Sequence, residues 1–383
     1  MVRPVALLLC VALTAACGRS DSAGAQATSA SRPFAVAEVA SFSTPWAMDF
    51  LPGSGVALTK MALLTEREGK LWLVDTQTGA KQEVAGVPKV KVAGQGGLGD
   101  VVVHPGFAGN QRIYLSFVEA GDGGTSGAAL GYGRLVLGQG QPRIEGFRVI
   151  WRQQPKVDGD GHFSHRIAFG PDGLLYLTSG ERQKFDPAQD MGGNLGKVLR
   201  LTDEGPPAPG NPWASRGGIA AQFWSIGHRN LLGIAFAPDG RLWETEMGPK
   251  GGDEVNLILP GRNYGWPKAS NGSHYSGQDI PDHKPGDGFE APKVWWNPSI
   301  SPGGLLIYTG DKFPDWKGDA LIPALSGEAL IRVDIDGEKA TKTDRWDMGE
   351  RIRAVDQGSD GSVYLIEDEG RLLRLDPAAA HEN

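Results

Sequence analysis

The chain has 383 residues, with 56 glycines, 26 prolines and a formal net charge of -7. That length suits two domains or one large all-β domain, and 40% apolar content with so many turn formers fits many short strands rather than disorder. The mild acidity and the lack of a basic stripe argue against nucleic acid as a partner.

Residues 1–17 read as an export signal. Arg3 is its basic start, and residues 5–13 form an apolar stretch too short to cross a bilayer. Thr14-Ala15-Ala16-Cys17 resembles a lipoprotein processing site, with Cys17 as the lipidated new N-terminus. An ordinary secretory signal is the alternative. Both export the protein, to the periplasm or as an outer-membrane-anchored lipoprotein of a Gram-negative-type cell. Residues 18–33 are Ser/Ala/Gly-rich and read as a flexible tether, so membrane contact is expected only through the anchor. Cys10 and Cys17 are the only cysteines, which leaves residues 34–377 without a disulfide. Residues 378–383 read as a tail.

From residue 34 a strand–turn–strand unit repeats. Its turns fall at Pro52, Pro105, Pro171, Pro238, Pro302 and Ser359, 53 to 67 residues apart. The third copy reads Ile167-Ala-Phe-Gly-Pro-Asp-Gly-Leu-Leu-Tyr-Leu and the fourth Ile234-Ala-Phe-Ala-Pro-Asp-Gly-Arg-Leu-Trp. Each is a short apolar strand, a glycine turn and a second strand rich in aromatic and β-branched residues. Further strands follow each pair, as at residues 196–201 and 329–334. Six units of about four strands predict an all-β, six-bladed β-propeller of four-stranded antiparallel blades over residues 34–377. A single unit cannot bury both faces, so the ring must close, and residues 34–39 can supply an outer strand to the last blade. The long segments 121–133, 206–218 and 269–290 are expected as loops gathered at one mouth. A β-sandwich pair and an open solenoid are the alternatives.

Several polar groups fall at matching blade positions. His162 and His165 precede the third repeat, and Gly227-His228-Arg229-Asn230 precedes the fourth. Residues three apart on a strand point to opposite faces, so at most one of the first two is expected at a central cavity. His104 reads as structural, and His274 and His283 as solvated loop residues. Gly248-Pro249-Lys250-Gly251-Gly252-Asp253-Glu254 offers backbone carbonyls beside carboxylates, the mixture a hard cation such as Ca²⁺ takes. A glycine loop with a solvated acidic pair fits it equally. Arg351 and Arg353 place two guanidinium groups on one strand face, suited to a polycarboxylate or phosphate, or simply to solvent. Zinc-protease, P-loop, dinucleotide-binding and nucleophile-elbow motifs are absent.

Taken in order, these segments resemble the PQQ-dependent soluble glucose dehydrogenases and, more closely, the bacterial aldose sugar dehydrogenases. The resemblance covers nearly all of residues 40–376. It rests on Gln95 in Gly94-Gln-Gly-Gly-Leu-Gly, His162 before Arg166-Ile-Ala-Phe-Gly-Pro-Asp-Gly, Gly227-His-Arg-Asn, Gly248-Pro249, Asp253-Glu-Val-Asn-Leu, Asn263-Tyr-Gly-Trp-Pro and Arg351-Ile-Arg353. It implies oxidation of an aldose sugar to a lactone, with PQQ at the wide mouth and Ca²⁺ beneath it. His162 would be the general base, and Gln95 would lie beside the base and bind the cofactor. Arg229 and Asn230 would bind the quinone carbonyl side, Arg229 also acting in catalysis, and Arg351 and Arg353 the PQQ carboxylates. The Gly248 and Pro249 carbonyls would ligate the catalytic Ca²⁺, and Glu254 and the Tyr264 carbonyl a second one. Ser270, Tyr275 and Ser299 match cofactor-side positions. The electron acceptor implied is a quinone, a cytochrome or a dye, and the protein a monomer or homodimer. Two positions depart from the glucose-oxidising relatives: Gly161 stands where they have Asp before the base, and Ser326 where a Lys nears the cofactor. A catalytically weakened binding module and a Ca²⁺-dependent lactonase are the alternative functions.

Overall fold

A computed structural model describes residues 32–53 and 58–378. The export signal, Cys17 and almost all of the tether and tail lie outside the described residues.

The strands group into six four-stranded antiparallel sheets, and the architecture is a six-bladed β-propeller. Strand β1 is Phe34–Ser41. Blade one is β2 to β5 (Pro45–Phe50, Met61–Glu66, Lys70–Asp75, Lys81–Glu83), and blade two β6 to β9 (Leu98–Val103, Arg112–Ala120, Ser126–Val136, Arg143–Arg152). Blade three is β10 to β13 (Ser164–Phe169, Leu175–Ser179, Lys197–Leu201, Phe223–Ile226), and blade four β14 to β17 (Leu231–Phe236, Leu242–Glu246, Asp253–Ile258, Val294–Trp296). Blade five is β18 to β21 (Leu306–Ile307, Ala320–Ala324, Ala329–Asp336, Lys339–Asp347). Blade six is β22 to β24 (Ile352–Gln357, Val363–Glu367, Arg371–Pro377), completed by β1 as its outer strand, with Phe34 opposite Pro377.

The core lies between blades rather than within them. Leu63 and Leu73 of blade one pack with Val101, Ile113 and Leu115 of blade two, and Leu330 and Trp346 of blade five with Leu365 and Leu375 of blade six. Each leucine buried this way contributes roughly 2 kcal/mol, so blades hold one another in place. On the axis, Arg166 ties five blades together. Its guanidinium donates to Asp100 Oδ1 (3.1 Å), Leu232 O (2.8 Å) and Gly303 O (2.7 Å), and lies 4.0 Å over the Trp46 ring.

Two expectations are corrected. Pro302 is not the turn of the fifth repeat. It precedes the inner strand β18 and bridges to Ala324, and the connection to β19 is residues 308–319. Ser-Pro-Gly-Gly has turn chemistry, but here a longer loop closes on stacked Phe313 and Trp316, their ring centroids 4.0 Å apart. Residues 121–133 are not a mouth loop either, since most of them belong to β8. Their glycines reflect close packing: a Cβ on Gly131 would lie 2.6 Å from the Phe147 ring.

Candidate functional site

The segment entering blade three carries unusual backbone. His162, Ser164 and His165 have φ of 48°, 59° and 56°, and Arg182, Gln183 and Phe185 have 61°, 59° and 63°. These are six of the nine non-glycine residues with positive φ among those described. Such conformations cost energy and concentrate where geometry matters more than stability. Strand β10 is irregular between Ser164 and Ile167, but the expectation that at most one of the two histidines faces the main cavity holds: His165 lines it, stacked 5.2 Å from Trp46. His162 is not among the lining residues and connects to the cavity through Gln95, which lines it.

His162 is held on two sides. Its N–H donates to Gln95 Oε1 at 2.7 Å, and its Nδ1 pairs with the Glu181 carboxylate. Glu181 also accepts the N–H groups of Gln183 (2.9 Å) and Phe185 (2.6 Å), which fixes the left-handed turn above it. Burial lowers the His162 pKa below its ordinary value, against the opposing pull of the Glu181 hydrogen bond, and Arg229 pushes it further down. Burial, the largest single influence, would raise Glu181, but His162, the Phe185 N–H and the charge of Arg229 together outweigh it and the carboxyl ends below its usual value. A carboxylate can only accept, so Nδ1 carries the proton and Nε2 keeps its lone pair. Glu181 was not foreseen from sequence. It orients the imidazole although Gly161 offers no acid, and the amide of Gln183 fills the space beside Gly161.

The main cavity, of about 420 Å³, is lined by Gln95, His165, Ser301, Arg67, Arg351, Arg353 and Asp368, among others. Both predicted arginines face it, and both donate to Asp368 (Arg351 Nε at 3.0 Å, Arg353 Nη2 at 2.7 Å). Ser326 brings no charge to its edge, and its hydroxyl pairs with that of Ser301 at 2.8 Å.

A second recess of about 10 Å³, room for one water or ion, shares Met247 with the main cavity. It is lined by Arg229, Glu246, Gly248, Glu254, Tyr264 and Ser270, among others. Arg229 Nη1 donates to Met247 O (2.9 Å) and Gly248 O (2.6 Å), and its N–H donates to Glu246 Oε2 (2.6 Å). Its guanidinium lies 5.2 Å over Trp266 and 5.9 Å over Tyr275, which is 76% exposed. Asp253 fixes the loop by accepting from Gly248 N (2.8 Å), Ser299 Oγ (2.5 Å), Ile300 N (2.7 Å) and Ser301 N (2.7 Å). Ser299 therefore braces the loop, and Pro249 is buried in it. Asn230 lies behind the wall, where its Oδ1 accepts from Ser164 Oγ at 3.2 Å.

Behind the recess, Glu244, Glu246, Glu254 and Asn256 share one face of paired strands β15 and β16. Burial, then the charge of Glu246, holds the Glu244 and Glu254 carboxyls well above the usual range. Glu244 Oε1, Asn256 Oδ1 and both ring nitrogens of His283 are buried without partners. His283 is thus not the solvated loop residue expected: its side chain is 3% exposed and sits 4.0 Å from Glu254. Excess buried carboxylate with unpaired acceptors is an environment that fits a hard divalent cation. The Gly248 carbonyl retains a lone pair beyond the one Arg229 uses. The guanidinium-lined main cavity likewise fits a planar polycarboxylate, and its volume lies within the roughly 300–1,000 Å³ usual for small-molecule sites.

Comparison with known proteins identifies the family and the fold. The family described as Glucose / Sorbosone dehydrogenase matches residues 42–374. Aldose sugar dehydrogenase YliI of Escherichia coli (strain K12) is 41% identical over 341 residues, which is 87% of this chain and 90% of that protein. The crystal structure of the soluble aldose sugar dehydrogenase from Escherichia coli in the apo-form aligns with a TM-score of 0.84 at 39% identity, over 90% of this chain and 100% of that one. The PQQ-bound aldose sugar dehydrogenase from Streptomyces coelicolor aligns with a TM-score of 0.74 at 29% identity, over 90% of this chain and 98% of that one.

Proposed function

The chain belongs to the glucose/sorbosone dehydrogenase family, and on that premise we propose that it oxidises aldose sugars at the anomeric carbon to lactones with PQQ and Ca²⁺. The observation that carries this reading is the His162–Glu181 pair, joined through Gln95 to a cavity bordered by guanidinium groups.

Bound PQQ would supply the hydride acceptor, with Ca²⁺ polarising it. His162 Nε2 takes the proton of the anomeric hydroxyl. The imidazole is neutral near pH 7, because burial holds its pKa below the ordinary value. The positive charge it gains on taking the proton lies against the Glu181 carboxylate, so the proton transfer is not penalised by an unpaired buried charge. Gln95 fixes the His162 backbone. Arg229, braced by Met247, Gly248 and Glu246, supplies fixed positive charge on the cofactor side. Arg351 and Arg353 would take PQQ carboxylates. The Gly248 and Pro249 carbonyls would hold the catalytic Ca²⁺, and Glu254 with the Tyr264 carbonyl would hold the second. Ser270 and Tyr275 would lie on the cofactor side, while Asn230 and Ser299 would act through the walls they brace. Export and a lipid on Cys17 would keep the enzyme near membrane acceptors.

The test is reconstitution of the purified protein with PQQ and Ca²⁺, then a screen of aldoses with an artificial dye as acceptor. Dye reduction with lactone formation, lost in His162→Ala, is expected. PQQ binding without turnover would instead favour a binding module. Lactone hydrolysis without PQQ would favour a lactonase.

A further inference from the structure

The main cavity holds more positive charge than its own carboxylate balances. Arg67, Arg351 and Arg353 all border it, and Asp368 is the only acidic residue among its lining side chains. Asp368 is already engaged on both oxygens, by Arg351 through Oδ2 and by Arg353 through Oδ1. Arg67 reaches the cavity from a different blade, just past the end of β3. Among the described residues no carboxylate pairs with it. Among the described residues its side chain makes one hydrogen bond, from Nη1 to Gly94 O at 2.8 Å, and its Nε is buried without a partner. The backbone is nevertheless shaped around this arm. Gly97 has φ of 139°, and a Cβ there would fall 2.6 Å from Arg67 Cγ and 2.1 Å from the Arg67 carbonyl oxygen. A guanidinium fork held in this way, at a cavity edge and with donors unused, is arranged to receive an anion.

We propose that Arg67 is a cofactor-binding residue, whose free donors take a carboxylate of the bound polycarboxylate and form a third cationic contact with Arg351 and Arg353. This rests on the PQQ reading above. Arg67 would supply from blade one the charge that Ser326 does not supply from blade five. The competing role is structural, in which Arg67 only holds the loop of Gly94 and Gln95.

The experiment titrates the full chain with PQQ in Ca²⁺ buffer by calorimetry, at several salt concentrations, alongside the thermal midpoint. Arg67→Gln is expected to weaken PQQ binding roughly 10- to 100-fold, as loss of a charge-assisted contact should. It should also flatten the dependence of affinity on salt. Arg67→Lys, which keeps the charge and loses the fork, should fall between wild type and Arg67→Gln. Wild-type affinity in Arg67→Gln overturns the inference and leaves the PQQ reading intact. So does a loss of affinity with the salt dependence unchanged, which would assign Arg67 to the loop. Failure of the wild-type protein to bind PQQ overturns the functional reading and this inference with it.

Discussion

Blades three and four present the same arrangement twice, and only one copy is suited to chemistry. In each, a histidine ahead of the inner strand directs Nδ1 at a glutamate at the end of the second strand: His162 to Glu181, and His228 to Glu246. The difference is at the far nitrogen. His228 Nε2 is bonded to Ser225 Oγ at 2.8 Å, the ring is stacked 4.6 Å from Tyr264, and the residue is fully buried. His162 Nε2 has no such partner among the described residues, and the residue retains 6% exposure. The glutamates differ as well. Glu181 anchors a turn of left-handed residues, whereas Glu246 anchors the backbone of Arg229. An orienting carboxylate makes a histidine rigid, and an open nitrogen leaves it able to accept a proton.

The strongest way to break this contrast is to remove each ring. His162→Ala should lower kcat about a thousandfold, the usual scale for a lost general base, with the thermal midpoint little changed. Equal loss in His228→Ala at unchanged stability would erase the distinction. Next, Glu181→Gln should lower kcat by about 10- to 100-fold by removing the charge that faces the imidazolium. The pH profile sharpens the point. The base must be neutral to act, and its pKa lies below 6.5, so the acid limb of kcat/KM should fall below that pH. Glu181 holds that pKa up, so Glu181→Gln should move the limb lower still. A limb above pH 6.5 would contradict the assignment.

On the blade-four side the expected effects are on stability. His228→Ala leaves Glu246 and Ser225 short of a partner in the interior and should cost about 2–4 kcal/mol in denaturant unfolding, with only a few-fold change in rate through Arg229. The smallest expected effect is chelation of Ca²⁺. Glu244 and Glu254 have folded-state pKa values above their unfolded ones, so the stability they confer is present at low pH and is lost as pH rises through the folded values. A bound cation relieves that loss. Chelation should therefore lower the thermal midpoint by a few degrees, on the order of 1 kcal/mol, and by more at pH 8 than at pH 5.

The blades were legible because their turns carry glycine and proline at near-regular spacing, and Pro302 misled because the same chemistry can precede a strand as well as follow one. His162, Gln95, Arg229, Arg351 and Arg353 are singled out as candidates by motifs. The residues that hold them are not: Glu181, Glu246, Asp253 and Asp368 act across strands, through contacts no local pattern encodes. One signal was available. Glutamate ends the second strand in three blades, as Glu66, Glu246 and Glu367, and in blade three Glu181 stands two residues past it. Glu66 accepts from Ser43 N at 2.5 Å much as Glu246 accepts from Arg229 N. Aligning the repeats through this acid, rather than through the turn proline, would have marked Glu181 beforehand. His283 was missed because a loop histidine reads as solvated until the loop is seen to fold back over blade four.

The pairing of β1 with β24 sets a timetable. The first strand made can find its partner only when the last is complete, and the loop closed between Phe34 and Pro377 spans nearly the whole domain. The residues around the cavity come from blades one, two, three, four, five and six, so an emerging chain has no binding pocket at any intermediate length. Loading with a small molecule must then await closure of the ring. A mutation in β1, far from every reacting group, would act first by widening the interval in which an unclosed ring exposes its final blade edge to other chains.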